Sequence, residues 1–544
     1  MSSLLTLSDS IAAHARTQPH KIGVRGARRS LSYAAWDDRA SRLANALMAL
    51  GLVKGDRVAL LAFNCVEWME IYVALARAGL IAVPINFRLV GPEITFIVEH
   101  SQARAFIVQQ DLRALVESIG AELPIEAGRF IHFGQGSDAL GGDTQTPDAQ
   151  ANLLGWQAYE SLIAAASAAS PMVDVRPEDH FALMYTSGTT GRPKGAVRSH
   201  EGNALLALAT ALEFGLTRDD SGLLVMPLCH ANSLYFSVTF SMLGATIVID
   251  DRPHFDPEAV LGLLARERIT FTSLVPTHYI MLLALRVEVK AQHDLARVGK
   301  LLISSAPARQ DTKRAILELF PNGRLFELYG STETGWVTLL RPDEQISKLG
   351  SVGREWAGSG AIKLLDAEGH EVPDGQVGEL HSRTAYVFSG YWKEPVKTSQ
   401  AFRGAWCSVG DMARRDEQGF IHLVDRKSNM IISGGENIYP SEVEAVLAAH
   451  PAVQDVAVIG VPDAKWGESV LAVVVAQCGR DDLIATNPTE RQAELEAWCR
   501  ERIAGFKRPR AYAFIAEAQM PRTATGKIQH RVLRERWLAS KTEA

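Results

Sequence analysis

Residues 185–195 read Tyr-Thr-Ser-Gly-Thr-Thr-Gly-Arg-Pro-Lys-Gly. Gly188, Gly191 and Gly195 free the backbone for positive φ, while Thr186, Ser187, Thr189, Thr190 and Lys194 line the same stretch with hydroxyls and an ammonium. This is the chemistry of a loop that wraps a polyphosphate. Successive backbone N–H groups form an anion-binding nest, and the lysine adds a point charge for terminal phosphate oxygens. The loop is not a Walker A motif: G-x-x-x-x-G-K-[ST] needs a glycine before the lysine and a hydroxyl residue after it, where this chain has Pro193 and Gly195.

Further segments with chemistry follow in order. The strand-like run Leu301–Ser304 leads into Ser305-Ala306-Pro307, small residues that let a flat ring approach the backbone. Residues 327–335 read Glu-Leu-Tyr-Gly-Ser-Thr-Glu-Thr-Gly. Tyr329 offers an aromatic face for stacking, Thr332 a hydroxyl, and Glu333 a hard oxygen ligand suited to magnesium bound with phosphates. In Ser408-Val409-Gly410-Asp411 and Val424-Asp425-Arg426-Lys427, Asp411 can accept the protons of two hydroxyls and Arg426 can donate. Ser433-Gly434-Gly435-Glu436-Asn437-Ile438-Tyr439-Pro440 places two glycines where a ligand needs close approach, then a proline fit to start a helix. Pro521-Arg522-Thr523-Ala524-Thr525-Gly526-Lys527 sets one lysine in a glycine-containing turn near the C-terminus.

In this order, from Thr186 to Lys527, the segments resemble the signatures of the adenylate-forming superfamily: acyl-CoA synthetases, adenylation domains of peptide synthetases and beetle luciferases. The resemblance implies a role for each. Thr186, Ser187, Gly188, Thr189, Thr190 and Lys194 would hold phosphates; Ser305, Ala306, Pro307, Glu327, Leu328, Tyr329, Gly330 and Ser331 would line the nucleotide; Asp411 and Arg426 would take the ribose. Thr332 would reach the α-phosphate, Glu333 the metal, Asn437 a nucleotide phosphate, and Ser433, Gly434 and Gly435 the pantetheine arm of coenzyme A. Lys527 falls at the catalytic lysine, and Ser428, followed by Asn429, at the hinge where many relatives carry Lys or Asp followed by an acid. Ser304 and Ser305 stand where the family commonly has two glycines.

The implied activity is that of an ATP-dependent carboxylic acid:CoA ligase, with ATP, Mg²⁺ and coenzyme A. An acyl-AMP forms with release of pyrophosphate, and a thioester then forms with release of AMP. The alternative is an acyl-AMP ligase that loads a carrier protein, although no Gly-Gly-x-Ser attachment signature is present. Pro227-Leu228-Cys229-His230-Ala231-Asn232 matches the motif that borders the carboxylate pocket, with His230 as its gate. His230 is the sole acid or base between Met226 and Ala245, which argues against a substrate ammonium and hence an amino acid. Leu234, Tyr235, Phe236 and Trp336 fit a fatty, aryl or short substituted acid, or simply a core.

The elements that must position these residues show in the patterning. Helix-like Tyr33–Leu50 and Val66–Ala78 alternate with strand-like Arg57–Phe63 and Leu80–Asn86, the mark of a doubly wound α/β sheet. After residue 340 short strands with glycine turns (Ala361–Asp366, Gly378–Ser382, Phe420–Val424) suit a small β-barrel-like subdomain. Beyond 428 a helix carrying Val443, Val446 and Leu447 precedes strands Val456–Val461 and Val470–Ala476. The expectation is an N-terminal adenylation domain, 1–427, of two doubly wound α/β subdomains plus that β-rich part, and a small mobile α+β domain, 428–544.

At 544 residues the chain exceeds one core. A net charge of −6 argues against nucleic acid as a partner, leaving a small-molecule acid, with a homodimer left open. Five scattered cysteines without C-x-x-C spacing suggest neither a disulfide framework nor a zinc site and fit a reducing cytoplasm. Ser221–Ile249 holds no Asp, Glu, Lys or Arg, but Pro227, His230 and Asn232 interrupt it, so buried strands and a pocket wall are expected in place of a membrane span. Arg500–Lys541 carries eleven Lys or Arg against three acids, a charge suited to the phosphates of ATP and CoA or to a solvated helix face.

Overall fold

The computed structural model describes residues 6–134, 154–186, 193–304, 310–427, 429–433, 436–463, 465–477, 488–523 and 526–542. The loop expected over 133–152 lies almost entirely outside them. The chain's contacts gather into two compact units, residues 1–362 with 382–407, and residues 363–381 with 408–544.

In the first unit an eight-stranded sheet runs Gly390–Tyr391, Lys194–Ser199, His180–Thr186, Ile81–Ile85, Arg57–Leu61, Ala103–Gln109, Phe130–Phe133 and Gln157–Ala158. Its central strands are parallel and apolar on both faces, as a sheet covered on both sides requires. Successive residues feed different cores: Val58 and Leu60 point to one, Ala59 and Leu61 to the other. The helices Tyr33–Ala49 and Glu67–Ala78 pack into the first. Ser32 caps the former by accepting from the Ala35 amide, and Gly79, at φ +65°, ends the latter.

A nine-stranded sheet follows, ordered Arg354–Glu355, Gly335–Leu340, Arg324–Ser331, Lys300–Ser304, Phe271–Leu274, Ser221–Leu224, Thr246–Ile249, Ile22–Arg25 and Ser30–Ser32. One large core serves both sheets, since Leu224, Ile247, Phe271, Leu302 and Phe326 join Val58 and Leu60 in it. The stretch Ser221–Ile249 departs from expectation: between its two strands lies a helix, Ala231–Leu243. Apart from Asn232 it is apolar or hydroxyl-bearing all round and ten of its residues are buried, so it shows no amphipathic period to read. Among the described residues no helix is long and apolar enough to cross a membrane.

The short strands after residue 340 divide among several sheets. Arg354–Glu355 and Gly390–Tyr391 extend the two large ones, whereas Lys363–Leu365, Val377–His381, Asp411–Arg415 and Ile421–Arg426 form a four-stranded antiparallel sheet in the second unit. That unit also holds a five-stranded sheet built on the long hairpin Val453–Asp463 and Gly467–Ala476. Its residues again alternate between two cores, Val456 and Val458 on one face, Ala457 and Ile459 on the other. Pro440 opens the helix Pro440–Ala448, as its missing N–H allows.

Candidate active site

The phosphate loop is the connection of an antiparallel hairpin whose last described pair is Thr186 opposite Lys194. Ser187, Gly188, Thr189 and Thr190 lie outside the described residues, but the loop's two ends are fixed to a covered sheet. A second hairpin meets the first. Arg324–Ser331 and Gly335–Leu340 are joined by the turn Thr332-Glu333-Thr334, and Gly335 takes φ +66°. Gly330 is the crossing point, because a Cβ there would stand 2.2 Å from the Gly335 carbonyl oxygen.

Each carbonyl of this turn is held from outside the hairpin. The Tyr235 hydroxyl donates to Thr332 O at 3.0 Å, the Phe388 amide to Glu333 O at 2.7 Å, and the Thr384 hydroxyl to Thr334 O at 2.8 Å. Arg198, fully buried, brings Nη1 to 3.4 Å from both Thr332 O and Glu333 O. Its carbon Cζ lies 5.1 Å from the centre of the Tyr235 ring, and among the described residues neither Nε nor Nη2 meets an acceptor. Arg198 was not singled out in the sequence, where it reads as one polar residue in a short strand.

The turn delivers the Glu333 carboxylate to the phosphate loop. Glu333 is 6 % exposed, and its Oε1 accepts from the Thr186 hydroxyl at 3.2 Å and the Tyr391 hydroxyl at 2.9 Å. The Lys194 ammonium sits 4.3 Å from the centre of the same Tyr391 ring. Three elements therefore converge on one corner: a carboxylate, two hydroxyls and an ammonium. A buried carboxylate held by neutral hydroxyls, beside a cation at the mouth of a glycine-rich loop, is a fit donor for magnesium accompanied by phosphates. Tyr391 also escaped the sequence reading.

On the nucleotide side, Ser305, Ala306 and Pro307 lie outside the described residues, but the strand that leads to them is braced. Asn232 donates to the Ser304 hydroxyl at 3.2 Å and accepts from Ser273 at 3.1 Å. Glu327 and Leu328 are buried. The Glu327 carboxylate pairs with Lys313, so it serves the core, and burial raises its pKa while Lys313 opposes. What Glu327 and Leu328 can offer a nucleotide is backbone. Tyr329, Gly330, Ser331 and Thr332 are half-buried on the outgoing strand and turn.

His230 stands at the N-cap of the helix Ala231–Leu243 and is half-buried. Leu234, Tyr235, Phe236 and Trp336 are core residues: Phe236 packs on Phe271 at 4.7 Å, and Tyr235 meets Trp336 edge-on at 5.2 Å.

The second unit gathers its own set. Arg426 Nε donates to Asp411 Oδ1 at 3.0 Å across paired strands, with Gly410 at φ +81° turning the chain into Asp411. Lys527 sits in a turn closed by the Thr523 amide donating to the Lys527 carbonyl at 2.7 Å, with Gly526 at φ +82°. Lys527 is exposed, and its ammonium is held below the ordinary lysine value, first by partial desolvation from nearby protein, then by Arg426, with Asp411 pulling the other way. The structure thus brings Asp411, Arg426 and Lys527 into one electrostatic neighbourhood. Ser433 is buried at the end of its strand and Asn437 lies on the neighbouring strand. Gly434, Gly435 and Ser428 lie outside the described residues.

Comparisons with known proteins show the family. A model of the AMP-binding enzyme family matches residues 11–392, and a model of the AMP-binding enzyme C-terminal domain matches residues 442–527. A feruloyl-CoA synthase of a Streptomyces species is 36% identical over 528 residues, covering 96% of this chain and 97% of the relative. A long-chain-fatty-acid–CoA ligase of Mycobacterium tuberculosis is 33% identical over 513 residues, covering 94% of each. Among solved structures, the O-succinylbenzoate coenzyme A synthetase of Bacillus subtilis in complex with ATP and magnesium ion superposes with a TM-score of 0.80 at 26% identity, covering 96% of this chain and 98% of that one. The chain therefore belongs to the AMP-binding enzyme family of adenylate-forming ligases.

Proposed function

We propose that this chain is an ATP-dependent carboxylic acid:CoA ligase acting on a fatty, aryl or short substituted carboxylic acid. The observation that carries the reading is the corner where Glu333, Thr186, Tyr391 and Lys194 meet at the mouth of the phosphate loop. A carboxylate is a poor acylating agent because its leaving group would be oxide. Its oxygen attacks the α-phosphorus of ATP, forming an O–P bond as the bond to pyrophosphate breaks. The CoA thiolate then attacks the acyl carbon, forming the C–S bond as AMP departs.

Negative charge gathers around the α-phosphate in the first step, and preorganised cations and donors lower that barrier. Lys194, Thr186, Thr332 and Lys527 would supply them. Bound at Glu333 with the phosphates, magnesium would neutralise charge on the departing pyrophosphate. Asp411, with Arg426 at 3.0 Å, offers acceptors and a donor for the ribose. No nucleophilic side chain is required.

The rest of the assignment belongs to the same proposal. Ser433, Gly434, Gly435 and Asn437 would serve coenzyme A and the nucleotide phosphate in the second step, with residues 428–544 swinging about Ser428 to exchange them for Lys527. His230 would gate the acid's carboxylate. The setting is the cytoplasm, where Cys65, Cys229, Cys407 and Cys499 stay thiols, and the chain acts alone or as a homodimer.

The test is release of AMP and pyrophosphate from ATP and Mg²⁺ over a panel of carboxylic acids, with and without CoA. The ligase reading expects one class of acid to give CoA-dependent turnover and a thioester. Stoichiometric pyrophosphate with no response to CoA would move the acceptor to a carrier protein.

A further inference from the structure

We infer that Tyr391 is a positioning residue that presets the metal-binding carboxylate and the phosphate-loop lysine together. The inference rests on the ligase reading and adds to it a residue on which neither the motifs nor the relatives' names bear. Tyr391 lies on the short edge strand Gly390–Tyr391, pinned to the far side of the phosphate hairpin by Tyr391 opposite Ala196 and Gly390 opposite Val197. Its amide donates to the Thr398 hydroxyl at 2.9 Å, a further anchor. Gly390 takes φ +140°, and a Cβ there would meet Thr398 at 2.8 Å, so the approach of this strand tolerates little else. The ring packs edge-on against Phe388 at 4.8 Å in a small core with Ala196 and Cys407. The ring therefore has one place to be.

From that place it does two things. Its hydroxyl donates to Glu333 Oε1 at 2.9 Å, while Thr186 donates to the same oxygen at 3.2 Å. Two donors occupy Oε1, and among the described residues none donates to Oε2. The carboxylate is thus turned so that one oxygen is held and the other faces an incoming cation. The ring face meanwhile stands 4.3 Å from the Lys194 ammonium and keeps that charge beside the loop while no phosphate competes for it. Orientation set before binding lowers the cost of ordering the site when ATP and its metal arrive.

The experiment compares wild type, Tyr391→Phe, Tyr391→Leu and Glu333→Gln. Binding of Mn²⁺ is followed by electron paramagnetic resonance in the presence of α,β-methylene-ATP, which cannot transfer at the α-phosphorus, and binding of the metal-free nucleotide and thermal midpoints are measured alongside. Tyr391→Phe keeps the ring and loses the hydroxyl. It is expected to weaken Mn²⁺ binding by about tenfold, the worth of one hydrogen bond to a charged group at the low end, with metal-free nucleotide binding and the thermal midpoint unchanged. Tyr391→Leu is expected to weaken metal-free nucleotide binding as well, because Lys194 loses its resting place. If Glu333→Gln abolishes Mn²⁺ binding while Tyr391→Phe binds it as wild type does, the positioning role is overturned and the metal reading stands. If Glu333→Gln binds Mn²⁺ normally, the metal reading falls and this inference with it. Equal losses of Mn²⁺ and metal-free nucleotide in Tyr391→Phe would reduce Tyr391 to a packing residue and overturn the inference too.

Discussion

Lys527 is a single ammonium in a turn, and its value depends on where charge develops. Lowered below the ordinary lysine range by loss of water and by Arg426, it gains most from an anion arriving beside it. Charge accumulates on the α-phosphate only during adenylation, so Lys527→Ala is expected to slow pyrophosphate exchange by about a hundredfold, as loss of one preorganised donor does. Thioester formation from a supplied acyl adenylate should stay within about twofold of wild type. Comparable losses in both assays would refute the division of labour. Lys194, Glu333 and Lys527 were legible because each sits inside a contiguous motif of rare composition. Tyr391 and Arg198 were not. Tyr391 reaches Glu333 from 58 residues away through strand register, and Arg198 reads as a solvent-facing residue in a strand until the helix Ala231–Leu243 covers it with Tyr235. Long-range pairing, which leaves no local pattern, decides both.

The element that does most for the site is the hairpin carrying Thr332 and Glu333. Its strands cross at Gly330, where a Cβ would meet backbone at 2.2 Å, and backbone cannot swing aside as a flexible side chain can. Gly330→Ala is therefore expected to cost more than about 1 kcal/mol and to displace Glu333 from Thr186. Gly299 serves as the matched control: a Cβ there meets nothing within 4 Å and its φ is not positive, so Gly299→Ala should leave the protein unchanged or slightly firmer. Thermal midpoints and pyrophosphate exchange measured on both variants check this. A Gly330→Ala protein that melts and turns over like Gly299→Ala would show that the crossing is looser than its geometry states. Elements such as Tyr33–Ala49 and Arg57–Leu61 stood close to their expected bounds, because one face of the helix is polar and turns mark the ends of the short apolar strand. The helix Ala231–Leu243 escaped for the opposite reason, being buried on every side. Its one local signal is Gly244, which ends it at φ +70°.

For the first unit as a whole, the consequence of one core shared by two sheets is a large dry interior. Its alternating α/β class was readable, but the sharing was not, since it depends on pairings such as Val24 opposite Ile247, remote in sequence. Two histidines of this unit are set against the protein, His200 buried and His278 half-buried. Both ring nitrogens of His200 are buried and meet no partner among the described residues, and its pKa is pushed down to about 4, first by burial, with Asp179 opposing. His278, stacked on Phe255 with ring centres 4.0 Å apart, is also held at about 4, first by burial and then by Arg88. In the unfolded chain each titrates near 6.5. Between pH 6.5 and about 4 the unfolded state therefore binds protons that the folded state refuses, and stability falls as pH falls through that window. For one such group, going from pH 7 to pH 5 costs about 2 kcal/mol. His200→Gln cannot titrate, so its urea midpoint should fall less than that of wild type between pH 7 and pH 5, and His278→Gln should behave likewise. The two effects should add, because the residues lie in different cores or at their margins and share no partner. Parallel pH profiles for wild type and both variants would mean that these rings accept protons in the folded state and that the interior is wetter than its packing implies.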